Sequence, residues 1–117
     1  MIALRYDVRV LVATQPIDFR CGINRLVALT AQTLGADPYS GDVFVFRSKR
    51  RDRLKLLHWD GSGMILATKW LEAGGFYWPP VRDGVLRLGG AEYAALLAGL
   101  EWSRLMPKPI RKPLLTG

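Results

Sequence analysis

The sequence predicts an α+β fold, in which a helix from the N-terminal half packs on an antiparallel β-meander and a short helix follows near the C-terminus. Three observations support this prediction. Apolar runs at 43–46 and 54–59 flank a short polar connection, as they do in a β-hairpin. Apolar residues fall at helical spacing between about 19 and 34, and strong helix formers fill 91–100.

The first strand and helix are indicated by a change of period along the chain. Alternating valines over 8–12 predict a strand that stops at Gln15-Pro16, because proline has no N–H for a strand ladder. The helical pattern starts directly afterwards. We expect Asp18 or Asn24 to cap the helix start and Gly35 to end the helix.

The later strands are predicted from the residues that separate them. Asp60-Gly61-Ser62-Gly63 is typical of a turn, so 64–72 continues as a strand after the hairpin. Phe76-Tyr77-Trp78 predicts a short aromatic strand that ends at Pro79-Pro80, and 85–88 predicts one more.

Prolines divide the chain into a domain and a tail. With 117 residues, of which 50% are hydrophobic, the chain can bury one core, and we predict a single domain over 1–104. Three prolines among basic residues predict a mobile tail over 105–117. Cys21 is the only cysteine and no apolar segment approaches the ~20 residues that span a bilayer, so we expect a soluble, cytoplasmic protein.

The charge is strongly positive and concentrated on the predicted hairpin. The chain carries 17 Lys and Arg against 10 Asp and Glu, and six of the 17 lie between 47 and 55. A cluster of this kind favours an anionic partner: nucleic acid, an anionic membrane surface or an acidic protein, with nucleic acid as the leading candidate. The predicted phosphate contacts are Arg47, Lys49, Arg50, Arg51, Arg53 and Lys55 on the hairpin, with Arg111 and Lys112 in the tail as a second, looser contact. The alternative is a solvated loop whose charge only keeps the protein soluble.

Aromatic residues surround the hairpin, and at strand spacing they are expected to be mostly core. Tyr77 is the expected exposed exception, because it is opposite in phase to its two aromatic neighbours. If the basic hairpin instead meets an acidic protein, the predicted anchors for that partner are Tyr77, Trp78 and Trp102.

The sequence offers only a weak candidate for catalysis. His58 and Asp60 could act as an acid–base couple or as two metal ligands, but no third ligand is nearby in the pattern. A histidine at a strand end that contacts a turn carboxylate is the more common arrangement. We therefore expect no enzyme activity, no metal and no cofactor.

Four blocks of residues, in this order, carry a resemblance to a known family: Asp18-x-Arg20-x-Gly22, Asp37-Pro38-x-Ser40-Gly41-x-x-Phe44-x-Phe46, Arg51-Asp52-Arg53-x-Lys55-x-Leu57-x-Trp59-Asp60-x-x-Gly63 and Leu71-x-x-Gly74-x-Phe76-x-Trp78-Pro79. Together they resemble the TnpB-type accessory protein, the product of the second reading frame, of insertion sequence 66 family transposable elements in bacteria. The resemblance implies a helper of a separate, larger transposase, acting alongside the first-frame protein of the same element.

Two functions remain open from the sequence. The first is a non-catalytic accessory protein of DNA transposition that binds DNA phosphates through its basic hairpin. The second is an adaptor that docks on the transposase or on the first-frame protein without contacting DNA.

Overall fold

The computed structural model describes residues 8–78 and 85–105. Its elements are, in chain order, β1 (Val10–Ile17), α1 (Ile23–Gln32), β2 (Val43–Ser48), β3 (Arg53–Trp59), β4 (Met64–Trp70), β5 (Val85–Leu88), α2 (Gly90–Leu97) and a short 3-10 helix (Trp102–Leu105). The strands form one sheet in the order β4-β3-β2-β1-β5. The predicted α+β class is therefore confirmed.

The predicted antiparallel meander holds for three of the five strands. β2 pairs antiparallel with β3, and β3 with β4. β1 instead runs parallel to β2, and α1 forms the crossover between them. β5 pairs antiparallel with the other side of β1. A strand, a helix and a second strand in succession form a crossover, which brings the two strands together in parallel.

β1 extends two residues past the predicted stop, through Pro16 to Ile17. The strand tolerates this proline because β5 covers β1 only as far as Ala13, and the register with β2 shifts between Ala13 and Ile17. Pro16 thus lies at an irregular, partly uncovered part of the sheet, where a missing N–H is least costly.

α1 begins four residues later than predicted because Asp18 forms a turn instead of a helix cap. Its carboxylate accepts hydrogen bonds from the backbone and side chain of Arg20, and its carbonyl accepts one from the Cys21 backbone. The N-cap is Gly22, without a side-chain cap, so neither Asp18 nor Asn24 has the predicted role. Gly35 follows the helix end with φ of +61°, which agrees with its predicted role as the stop.

The aromatic segment Phe76-Tyr77-Trp78 is not a strand. The Phe76 backbone N–H donates to the carbonyl of Arg51, in the turn between β2 and β3, at 2.6 Å. The Phe76 side chain is fully buried in the core. Burial against the sheet, rather than strand pairing, therefore accounts for the apolar character of this segment.

The sheet separates two hydrophobic cores. On one face, α1 contributes Leu26 to a core that includes Phe44, Phe46 and Leu57. On the other face, α2, the 3-10 helix and Phe76 cover the valines and leucines of β1, β2 and β3. Successive residues of β3 therefore point to opposite cores, and its cationic residues must share space with one of them.

The predicted tail over 105–117, with Arg111 and Lys112, lies outside the described residues from 106 onward. Across 8–78 and 85–105, none of the helices combines the length and apolar character needed to cross a bilayer.

Candidate nucleic-acid interface

The turn between β2 and β3 is held by hydrogen bonds from two parts of the chain. The hydroxyl of Ser48, at the end of β2, accepts a hydrogen bond from the Arg50 backbone N–H at 3.1 Å. The Arg51 carbonyl accepts the Phe76 N–H described above. The turn is therefore fixed both by its own strand and by the segment that follows β4.

A second pair of contacts fixes the other side of this turn. The Leu71 backbone N–H donates to the Asp52 carbonyl at 2.9 Å. Gly75 lies so close to Arg51 that a β-carbon added at Gly75 would be 2.9 Å from the Arg51 β-carbon and 3.2 Å from its carbonyl oxygen. This close approach requires a residue without a side chain at position 75.

Three of the six predicted hairpin contacts project from this turn into solvent. Lys49, Arg50 and Arg51 are all exposed. No salt bridge within the described part of the chain involves them. We call these three residues the basic tip. The nearby carboxylate of Asp18 is already paired with Arg20. Hydrogen bonds from Arg20 hold the pKa of Asp18 far below its ordinary value, and the charge of Lys49 lowers it slightly further.

Arg47 turns back onto the α2 face of the sheet. Its guanidinium lies 5.1 Å from the centre of the Trp78 ring, and one of its nitrogens is 3.5 Å from the Thr14 carbonyl. Its buried Nε has no hydrogen-bond partner among the described residues. Burial, and secondarily the charge of Arg51, lower the pKa of Arg47 below its ordinary value.

Lys55 is drawn into the α1 face of the sheet. Its ammonium donates to the carbonyls of Phe19 and Cys21 at 2.6 and 2.7 Å, and it lies 4.6 Å from the centre of the Phe19 ring. Lys55 is only 9% exposed. It therefore anchors the loop between β1 and α1, instead of facing solvent as a phosphate contact requires.

Arg53 is also largely covered. Its side chain is 20% exposed, and its Nε lies 3.5 Å from a carboxylate oxygen of Asp52, an ion pair too long for a good hydrogen bond. Its guanidinium lies 4.1 Å from the centre of the Trp70 ring and 5.9 Å from that of Phe19. The predicted cluster thus consists of three exposed cations at the tip and three cations held against the protein.

The sequence did not single out Trp70 as exposed, yet 59% of this residue is accessible to solvent. It ends β4 directly opposite Arg53. The signal that could have indicated this exposure is a tryptophan at the end of an outer strand, opposite an arginine in the strand register. Tyr39 is the other strongly exposed aromatic of the described residues, whereas Tyr77, predicted to be exposed, is half-buried.

The three predicted partner anchors differ in their accessibility. Trp102 is fully buried, and its Nε1–H donates to the Tyr77 carbonyl at 2.8 Å. Tyr77 packs edge-to-face on Trp102 with ring centres 6.2 Å apart. Trp78 is half-buried, and its Nε1 has no hydrogen-bond partner in the described chain. Tyr77 and Trp78 therefore retain accessible surface, whereas Trp102 supports them from inside the domain.

The candidate couple of His58 and Asp60 lies at the other end of β3, away from the basic tip. The Asp60 carboxylate accepts hydrogen bonds from the backbone and hydroxyl of Ser62 and from the Gly63 backbone, and these bonds lower its pKa. This is the geometry of a turn cap. Within 8–78 and 85–105, no group of three or more His, Cys, Asp or Glu residues is arranged to hold a metal.

Comparison with known proteins identifies the family. The family model described as IS66 Orf2 like protein matches residues 8–107. The chain belongs to this family. The chain is 57% identical to the uncharacterized protein y4jC of Sinorhizobium fredii over 113 residues, which cover 97% of each chain. It is 34% identical over the full length of both chains to the uncharacterized protein y4hO of the same organism. No solved structure matches the chain.

Family membership confirms the resemblance to the second-frame product of insertion sequence 66 elements. It supports an accessory role in transposition for this IS66 Orf2-like protein. The family match extends over all of the described turn, sheet and helices, so the basic tip lies within the region that the family model covers.

Proposed function

We propose that this IS66 Orf2-like protein is a non-catalytic accessory protein of DNA transposition, and that its basic tip contacts DNA phosphates. One observation carries the proposal. Lys49, Arg50 and Arg51 are exposed on a turn whose backbone is fixed by hydrogen bonds from two sides. Because the turn is already ordered, binding an anion there loses little backbone entropy.

The electrostatics of the tip suit a phosphate backbone. Each cation that neutralises a phosphate releases condensed counterions, which favours binding without any need for base recognition. Arginine adds a planar fork that can donate two hydrogen bonds to one phosphate. Three contacts predict that log affinity falls with log salt at a slope of about −2 to −3.

The covered cations have a supporting role in this proposal. Arg47, Arg53 and Lys55 add to the positive potential at this end of the sheet while their side chains hold the structure together. Arg111 and Lys112 remain a proposed second contact in the tail. The proposed protein partners are the transposase and the first-frame protein of the same element, and the proposed compartment is the cytoplasm.

The experiment is a DNA-binding titration across salt, between about 50 and 200 mM. We expect Arg50→Ala and Arg51→Ala each to weaken binding and to reduce the salt slope by about 1. The matched control is Arg87→Ala, which removes the same charge from an exposed position on β5. Terminal repeats of the element and random DNA of the same length are compared to measure sequence preference.

Two results would contradict direct DNA contact. The first is the absence of salt-sensitive binding to either DNA. The second is an equal loss from the tip variants and from Arg87→Ala, which would mean that net charge alone accounts for the effect.

The second candidate function is an adaptor for a protein of the element. It is favoured by Tyr77 and Trp78, which are both half-buried. The Nε1 of Trp78 has no hydrogen-bond partner in the described chain. Tyr77→Ala should then abolish capture of the purified transposase or first-frame protein in nuclease-treated solution, while Arg51→Ala has no effect. Retention of both partners by Tyr77→Ala would argue against this surface.

A further inference from the structure

We infer that Trp70 stacks an unpaired base, and that the DNA held by the basic tip is therefore single-stranded. This inference rests on the proposed function, because it names the form of DNA that the tip would bind. It is carried by a separate set of contacts, those of Trp70 with Arg53.

One face of the Trp70 ring is covered by a cation, and more than half of the residue is exposed. The Arg53 guanidinium carbon lies 4.1 Å from the ring centre, close enough to cover one face of the indole. Trp70 is nevertheless 59% exposed. A flat ring that is covered on one face and still this exposed presents its other face to solvent. Open aromatic faces of this kind stack the bases of single strands in a sequence-tolerant way.

The cation beneath the ring is itself held in place. Arg53 also approaches the Phe19 ring at 5.9 Å and the Asp52 carboxylate at 3.5 Å, and its side chain is 20% exposed. Its position is therefore set before any ligand arrives. We call Trp70 together with Arg53 the stacking platform.

The stacking platform is adjacent to the basic tip. Trp70 lies opposite Arg53 in the register of β3 and β4, and Arg53 follows Arg51 by two residues. Two residues span at most ~7 Å. The basic tip and the stacking platform therefore lie at the same end of β3, where one strand of DNA can contact both.

The position of β4 favours a single strand over a duplex. β4 is the outer strand of the sheet on this side, so its end is accessible. In a duplex, each base is covered on both faces by its neighbours, and extruding one costs a few kcal/mol. An unpaired base has no such cost.

The test compares three DNA probes with the intact chain: an oligothymidine, an abasic strand of equal length and a duplex of equal length. The oligothymidine is also titrated at higher salt. We expect Trp70→Ala to weaken binding to oligothymidine by roughly 5- to 100-fold, the range for loss of one base–aromatic stack. Its binding to the abasic strand and to the duplex should equal that of the unmodified protein. Its salt slope should be unchanged, because no charge is removed.

Two variants provide matched controls. Trp70→Phe keeps a ring and should retain most of the binding to oligothymidine. Tyr39→Ala removes an aromatic residue of similar exposure, 56%, which packs on Trp59 at the opposite end of β3. It should bind oligothymidine as the unmodified protein does.

The outcomes separate this inference from the proposed function. If Trp70→Ala binds all probes as the unmodified protein does, or loses equal affinity for every probe, the stacking platform is wrong while phosphate contact by the tip stands. If the unmodified protein binds none of the probes, both proposals are overturned.

Discussion

Gly75 lies so close to Arg51 that the β-carbon and carbonyl of Arg51 leave no room for a side chain at Gly75. A β-carbon at Gly75 would lie 2.9 Å from the β-carbon of Arg51. The neighbouring Phe76 N–H donates to the Arg51 carbonyl. The segment after β4 therefore determines where the exposed arginine is placed.

The first prediction concerns this contact. Gly75→Ala should lower the free energy of unfolding by about 1–3 kcal/mol, because the added methyl group overpacks a backbone contact. It should also weaken DNA binding by displacing the turn. Gly63→Ala is the control, since nothing lies within 4 Å of its added β-carbon, and urea unfolding is the measurement. Equal stability of the two variants would show that the turn adapts freely.

The second prediction separates two lysines of the same hairpin. Lys55→Met should cost about 1–3 kcal/mol of stability, because the buried Lys55 ammonium no longer donates to the carbonyls of Phe19 and Cys21. The salt slope of DNA binding should be retained. Lys49→Met makes the same change at an exposed position, so it should reduce the salt slope and leave stability within about 0.5 kcal/mol. The reverse pattern in the two assays would contradict the assignment of these side chains.

The third prediction is a pH dependence of the link between β1 and β2. Arg9 donates to the Asp42 carboxylate from its backbone and from two side-chain nitrogens at 2.8–3.1 Å. Burial opposes ionisation of Asp42, but the hydrogen bonds from Arg9 and Ser40 outweigh it and lower its pKa.

A carboxyl whose pKa is lowered by folding stabilises the fold at pH values above its ordinary pKa of 3.8. This stabilisation is lost as the pH falls through the lowered pKa of the folded state. Asp42→Asn should therefore cost about 1 kcal/mol near neutrality. The difference from the unmodified protein should shrink below about pH 4. Unfolding curves between pH 7 and 3 measure it, and a constant difference would refute the role of the charge.

The fourth prediction concerns Trp102. Trp102→Phe should cost about 1–3 kcal/mol, because the Tyr77 carbonyl loses its buried donor. The same substitution at Trp70, which is largely exposed, should change stability by less than about 0.5 kcal/mol. Thermal unfolding of the pair is the measurement. If Trp102→Phe leaves the thermal stability unchanged, the 3-10 helix packs loosely.

Local patterns predicted most of the fold. The strand runs around the basic turn, the Asp60 turn and the helical spacing before Gly35 each depend on neighbouring residues, and each agrees with the structure. The parallel pairing of β1 with β2 was missed although its signal was present, since a helix between two strands forms a crossover.

The direction of the long cationic side chains could not be predicted in the same way. Strand alternation places Arg53 and Lys55 on one face, but it does not say what covers that face. The long aliphatic part of the Lys55 side chain lets its ammonium reach two carbonyls of a loop more than 30 residues earlier in the chain. Contacts over such sequence distances depend on the whole topology.

The position of β1 between β2 and β5 has a consequence for how the protein is made. The strand that pairs with the second side of β1 is separated from it by most of the domain. While the chain emerges from the ribosome, the β2–β4 part can assemble, but the far side of β1 keeps its hydrogen-bonding groups unmatched until Leu88 has been synthesised. Unpaired strand edges promote aggregation. Products that terminate early, before β5, should therefore be the ones that precipitate or are degraded.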